Sequence, residues 1–247
     1  MMAGGLRLAV SAWSAWTPQR ETPAEWRAWA RATDAGSGDP GARPVAVPMM
    51  VRRRTTALGQ KMIASALACG ETALTGRYVL ASRHGEFSRC LSMLKSLAAH
   101  ELPSPAEFSM SVHNGLAGLL SIHLGNKRGH TALAAGLDTF GFGLIEAAAH
   151  LVEEPSEPVL LFFGDEPLPG EYDVFGKDDI DLPIVVALVL RTPAAGDDCI
   201  LFDAVPRSAG ARPSTAAPAD FLRFLLSGAQ SAVSEGARMT WSWRRAT

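Results

Sequence analysis

The chain has 247 residues, a formal net charge of −2 and a pI near 6.3, with 47% hydrophobic and 19% charged residues. This balance excludes a disordered or collagen-like chain and a surface built to coat nucleic acid. The length suits one large domain or two small ones, with enough residues to bury a core. The longest apolar run, Ile184 to Leu190, is far short of the ~20 residues a membrane-spanning helix needs and reads as a buried strand. The apolar stretch after Arg7 alternates with serines and offers no small-residue cleavage pattern before Pro18, so the expectation is a cytoplasmic protein.

In chain order, Leu6 to Trp13 alternates as a strand does. Thr22-Pro23-Ala24-Glu25 then forms a capping box with proline at the first helical position, and Trp26, Trp29 and Ala30 share one face of the helix that follows. Asp34 to Pro48 is dense in glycine and proline and reads as a surface loop. From Thr55 to Cys69, Leu58, Met62, Ala66 and Cys69 recur at three- and four-residue steps, a core-facing helix stopped by Gly70. A strand over Arg77 to Ser82 precedes a helix over Glu86 to His100, expected to bury Phe87, Cys90, Leu91, Leu94 and Leu97. Next come a mostly apolar helix over Phe108 to Leu124, a buried strand over His130 to Gly136, a helix over Asp138 to Val152 capped by Asp138, and a strand over Glu157 to Gly164. Leu182 to Arg191 and Cys199 to Val205 add two strands, Ser208 to Pro218 a loop and Ala219 to Ser227 a short helix. Met239 to Arg245 alternates as an edge strand. Strands separated by helices of this length predict an α/β fold, a mainly parallel sheet with helices on both faces. The expectation is a single domain over residues 1–247, in which 206–247 form a peripheral helix and tail.

Most chemical signatures fail on this chain. Cys69, Cys90 and Cys199 lie far apart among apolar neighbours and read as buried reduced thiols, and the six histidines have no metal-ligand spacing, so neither metal nor cofactor is expected. Phe140-Gly141-Phe142-Gly143 lacks the third glycine of a dinucleotide fingerprint and reads as close helix packing. Ser111 and His113, two apart on a helix, point to different faces. Arg52-Arg53-Arg54 fits either a solvated helix start or a site for phosphate or an acidic carrier protein. His84-Gly85-Glu86 sits at a strand-to-helix junction, where a glycine turn and a first-turn glutamate explain it as well as an active site would.

One stretch, Leu102 to Glu166, carries a resemblance. It reads S-P at Ser104, F-S-M-S-V-H-N-G-L-A-G-L-L-S-I-H-L-G from Phe108, G-H-T-A-L-A-A-G-L-D-T-F from Gly129, and V-L-L-F-F-G-D-E from Val159. This resembles the N-terminal half of a β-ketoacyl synthase, with Asn114, Ala117, Gly118, Ser121, Ile122, Gly125 and Glu166 on matching positions. R-R-R near Arg54, A-S-R-H-G-E from Ala81 and D-E-P-L-P from Asp165 extend it. The resemblance implies half of a thiolase-like fold. At the position of the family's nucleophilic cysteine, which a helix N-terminus activates, stands Leu137. No histidine follows His150, and the resemblance implies a chain without the C-terminal half that would supply catalytic histidines.

The resemblance therefore implies a short, non-catalytic, chain-length-factor-like subunit of an aryl polyene or related fatty-acid or polyketide system. It would pair with a catalytic ketosynthase and serve an acyl carrier protein; no nucleic-acid partner and no membrane span are expected. The strand His130 to Gly136 would pair across the subunit interface, with the helix Phe108 to Leu124 packed beside it. Phe108, Met110, Ser111, Asn114, Leu137, Asp138 and Thr139 would line pocket or interface, and Arg52, Arg53 and Arg54 would meet the carrier protein. Phe108 would either limit the acyl chain or fill this subunit's own core. Two other readings remain open: an acyltransferase or thioester hydrolase using Ser109, Ser111, His113 or His84, and a homodimeric carrier-binding scaffold.

Overall fold

The computed structural model describes residues 5–32, 45–175, 182–208, 210, 213–214 and 216–246. Most of the expected loop from Asp34 to Pro48, and part of that from Ser208 to Pro218, lie outside the described residues. The elements run β1 (Leu6–Trp16), α1 (Pro23–Arg31), α2 (Met49–Arg52), α3 (Ala57–Ala68), α4 (Thr72–Thr75), β2 (Arg77–Ala81), α5 (Phe87–Ala98), α6 (Pro105–Ser111), α7 (Gly115–Leu124), β3 (His130–Leu133), α8 (Thr139–Glu153), β4 (Val159–Asp165), a 3-10 turn (Gly170–Phe175), β5 (Ile184–Arg191), β6 (Ile200–Pro206), α9 (Ala217–Ser227), β7 (Ser231–Glu235) and β8 (Met239–Arg245).

The strands form one eight-stranded sheet in the order β3-β2-β4-β5-β1-β6-β8-β7. Only β2 with β3 and β2 with β4 pair in parallel, and the remaining five pairings are antiparallel. The α/β class therefore holds, and the expectation of a mainly parallel sheet is corrected. Parallel pairing is confined to strands linked by helical crossovers, whereas from β4 onward neighbouring strands reverse direction.

Both faces of the sheet are covered, so its central strands are apolar on both sides. Val159, Leu161 and Phe163 of β4 point into a core shared with α1, α8 and α9. Leu160 and Phe162 point to the other side, into a core shared with α2, α3 and α7. The capping box at Thr22 forms as expected: Glu25 N donates to Thr22 Oγ1 at 3.2 Å and Thr22 N to Glu25 Oε2 at 2.8 Å. It seats α1 so that Trp26 is buried and donates its indole N–H to Ala15 O at 3.0 Å. The glycines of Phe140 to Gly143 do serve close packing, since a Cβ on Gly141 would overlap the Trp241 ring and one on Gly143 would lie 3.0 Å from Leu161.

Several expected elements differ. The helix over Phe108 to Leu124 is two helices, α6 and α7, broken at Val112-His113-Asn114, where Val112 is extended. The strand expected over His130 to Gly136 stops at Leu133. Helix α5 buries none of its residues, and Leu94 and Leu97 stay half exposed despite their helical spacing. Cys69 and Cys199 are buried but Cys90 is only partly so, and all three are free thiols. Within the segment expected to be a peripheral helix and tail, Phe221, Phe224, Trp241 and Trp243 sit in the core beside α8. Finally, β8 lies inside the sheet, because β7 pairs along its outer side and forms the edge.

Candidate functional site

The parallel strands β2, β3 and β4 end together, and the turns beyond them bring three polar segments near one end of the sheet. After β2, Ser82 is buried and its hydroxyl accepts from Gly85 N at 2.8 Å, which shapes the turn that carries His84 and Glu86. Gly85 has φ +62°, a left-handed conformation that glycine adopts without strain. At the end of β4, Asp165 is 4% exposed and accepts from Arg83 N at 2.7 Å and Ser82 Oγ at 3.2 Å. After β3, the chain turns through Gly136 and Leu137 to the buried pair Asp138 and Thr139 at the start of α8. Thr139 Oγ1 accepts from Ala135 N at 2.9 Å and donates to Gly136 O at 2.6 Å, closing this turn on itself.

Asp138 heads α8 without capping it, contrary to the sequence expectation. Its carboxylate, fully buried, instead accepts from Trp241 Nε1 at 3.0 Å and from Arg238 N at 2.9 Å. A Cβ on Gly236 would overlap that carboxylate, so the turn joining β7 to β8 lies directly against it. The same turn is tied to the end of β6, where Arg207 Nε donates to Ala237 O at 3.0 Å. The C-terminal hairpin thus covers the N-terminus of α8. Beside Leu137 and Thr139 remains a cavity of about 10 Å³, near the smallest volume that holds one water, and its lining contains no cysteine and no histidine.

The acidic groups at this end of the sheet are held in low-dielectric surroundings. Burial raises the Asp165 carboxyl to about 6, against the pull of its Arg83 and Ser82 partners. Burial also raises Glu166, and the neighbouring Glu86 carboxylate adds to the rise. Glu86 in turn accepts from Thr56 N and Thr56 Oγ1, both at 2.7 Å, which ties the α5 turn to the start of α3.

A carboxyl whose pKa is raised on folding favours the folded state most when both states are protonated, below 3.8. The advantage fades as pH climbs through about 6, and the two values are worth about 3 kcal/mol at ~1.4 kcal/mol per unit. Asp165→Asn keeps the oxygen acceptor and cannot ionise. It is expected to match the parent near pH 4 and to exceed it in stability by up to about 3 kcal/mol above pH 6, measured by urea denaturation across that range. Parallel pH curves for the two proteins would show that Asp165 ionises freely.

The sequence-nominated residues fall into three places. Leu137 and Thr139, with Asp138 behind them, share the small cavity at the head of α8. Met110 and Asn114 line a separate open groove of about 440 Å³ between α6, α7 and the edge of β3, with Gly118, Ile122 and His130. Arg54 reaches the rim of that groove, while Arg52 and Arg53 are exposed on the same turn. Phe108 is 62% exposed, so it fills no core of this chain. The hydroxyls offered as alternative nucleophiles are bonded to backbone of their own helix: Ser109 donates to Pro105 O at 2.7 Å and Ser111 to Phe108 O at 2.8 Å. His113 contacts Leu133 O at 3.1 Å through Nε2, so no serine–histidine pair forms with either hydroxyl.

Sequence reasoning missed the link between Asp138 and the C-terminal hairpin. Its one available signal was M-T-W-S-W, which places Trp241 and Trp243 on the same face of a strand, where two large rings demand burial.

β3 is an unpaired sheet edge. Tyr78 N donates to Gly129 O and Ser82 N to Leu133 O, so alternate residues face β2, and His130 and Ala132 turn their backbone groups outward. Alongside, Ile122 is 82% and Val112 48% exposed.

No curated protein sequence matches the chain. Among solved structures, a chain of the complex between the ketosynthase ApeO and its chain length factor ApeC from Xenorhabdus doucetiae is 29% identical, with TM-score 0.81 over 97% of this chain and 100% of that one. The ishigamide ketosynthase/chain length factor (16% identity, TM-score 0.61, 90% of this chain and 74% of that one) shares the fold. So does a beta-ketoacyl synthase from Burkholderia phymatum (13%, 0.58, 91% and 71%). The profile described as beta-ketoacyl synthase, N-terminal domain, matches residues 26–244, and with the thiolase-like half sheet and the turn into α8 in place, the chain belongs to that family.

Proposed function

We propose that this chain is a non-catalytic, chain-length-factor-like subunit that pairs with a catalytic β-ketoacyl synthase. The pair would elongate acyl chains borne on an acyl carrier protein in aryl polyene or related fatty-acid or polyketide synthesis. The observation that carries the reading is the head of α8. A condensing enzyme needs a thiolate where the helix dipole and backbone N–H groups stabilise it, and then an oxyanion at the same spot. Here Leu137 offers no nucleophilic atom, and the buried acid behind it is bound by the chain's own β7–β8 turn.

What the chain does offer is a surface. The open β3 edge supplies outward backbone groups, and the groove beside it supplies apolar area at Met110 and Ile122, as an interface between subunits requires. Phe108, exposed on α6, would meet the partner and its acyl tunnel. Arg52, Arg53 and Arg54 would contact the acidic carrier protein across the rim. Co-expression with the ketosynthase encoded beside it should give a one-to-one complex by size exclusion with light scattering. Condensing activity of that complex should be unaffected by Leu137→Ala and abolished by loss of the partner's cysteine. A chain that stays alone at micromolar concentrations, or that gains an acyl adduct by intact mass on incubation with acyl thioesters, would overturn the reading.

A further inference from the structure

Away from the groove and the head of α8, the outer layer formed by α1 and α9 carries an arrangement of arginines that the proposed function leaves unused. Trp29 on α1 stands edge-on to the buried Trp26, ring centroids 5.3 Å apart, and stays partly exposed. Two guanidiniums lie against it: Arg223 of α9 at 4.4 Å from its centroid and Arg20, from the turn before α1, at 4.9 Å. A third, Arg31, closes the seam by donating from Nε to Leu226 O at 3.3 Å.

The nearby carboxylates feel this group, Glu25 through Arg20 and Asp220 through Arg223, but the hydrogen bonds they accept come from elsewhere. Glu21 accepts from Trp16 Nε1 at 3.0 Å and pairs with Lys61. Glu25 is held by Glu21 N and Thr22 N, both at 2.8 Å. Asp220 accepts from Ser234 Oγ at 2.8 Å. Among the described residues no carboxylate lies within ion-pair distance of Arg20, Arg31 or Arg223. Two like charges on one indole repel, and stacking fixes their planes while leaving N–H edges free to bind carboxylate oxygens in pairs. On a chain of net charge −2, this is a local cationic site, not a consequence of overall charge.

We propose that the α1–α9 seam is a second docking surface, for a protein whose contacting face is rich in carboxylates. Among the described residues, neither Trp29 nor any of the three arginines lines one of the five best-formed cavities, and Arg31 and Arg223 are exposed, which suits a protein face better than an enclosed small molecule. No large apolar side chain of α1 or α9 is among the exposed ones, so nothing there would insert into lipid.

The test uses labelled poly-L-glutamate as the acidic probe and fluorescence anisotropy as the readout, with the full chain carrying R52E/R53E/R54E so that the groove-side arginines contribute nothing. Adding R20Q/R223Q should weaken probe binding at least tenfold at low salt, and binding before that change should fall steeply as salt rises. Arg223→Glu alone, at an exposed position of α9, should weaken binding in the same direction and guards against misfolding of the double variant. Unchanged affinity in both variants would overturn the proposal. So would binding to phosphatidylglycerol vesicles without binding to poly-L-glutamate. Complex formation with the ketosynthase should be untouched by R20Q/R223Q, so failure here and failure of the partner-subunit reading are separately visible.

Discussion

Replacing Trp241 by alanine is expected to be among the most damaging single changes in this chain, lowering stability by about 4 kcal/mol and the melting temperature by about 10 °C. The indole is fully buried, stacks on Phe202 at 5.8 Å with an interplanar angle of 16°, and meets Phe142 edge-on at 5.3 Å. Removing it opens a cavity against α8 at the place where Gly141 has given up its side chain to admit the ring. It also removes one of the donors to Asp138, leaving a buried carboxylate less well satisfied. Trp241→Phe separates the two effects: it keeps most of the packing and loses the N–H, so its cost should be about 1–3 kcal/mol. A double-mutant cycle of Trp241→Phe with Asp138→Ala, which removes the acceptor, should show coupling of about 1 kcal/mol or more. Additive losses would mean that the hydrogen bond contributes nothing and that the hairpin is held to α8 by packing alone. Thermal and urea melts followed by circular dichroism give both numbers.

That hairpin shows where reading from the sequence stops. The alternation in M-T-W-S-W named a strand, but local periodicity carries no information on which strand lies on its far side. β7, with its short and mostly polar S-A-V-S-E, gave no apolar signal to announce an outer neighbour. The same limit explains α5. Its apolar residues recur at helical steps, so the helix was legible, yet spacing reports a stripe and not what covers it, and Leu94 and Leu97 remain half exposed. By contrast, β4 and β5 were plain because strands buried on both faces read as unbroken apolar runs. Their relative direction was not plain, since parallel and antiparallel pairing draw on the same residue types.

At the head of α8, that Leu137 offers no nucleophilic atom was readable from the sequence alone. The role of Asp138 was not: an aspartate before a helix is usually a cap, and its bond to Trp241 spans most of the C-terminal half of the chain. The break between α6 and α7 did have a local sign, the Asn114-Gly115 pair, outweighed by the apolar run on either side of it.

The second large effect is expected on assembly. Ala132→Pro removes an outward N–H from the β3 edge while leaving the bonds at Gly129 and Leu133 that tie β3 to β2. Ile122→Arg places a charge where an 82% exposed isoleucine borders the groove. If a ketosynthase strand adds to this edge and its apolar surface fills the groove, each change should weaken the heterodimer about 100-fold or more. The first loses backbone pairing in a site closed to water, and the second adds the cost of a buried unpaired charge. The isolated chain should melt within a few degrees of the parent in both cases, because Ile122 is exposed and Ala132, on the edge strand, is only partly buried at the margin of the core around α3 and α7. Sedimentation of each variant mixed with the ketosynthase gives the answer. Undiminished complexes would place the partner on another face and leave the β3 edge without a role, whereas loss in both variants with intact folds would locate the subunit contact at the edge beside α7.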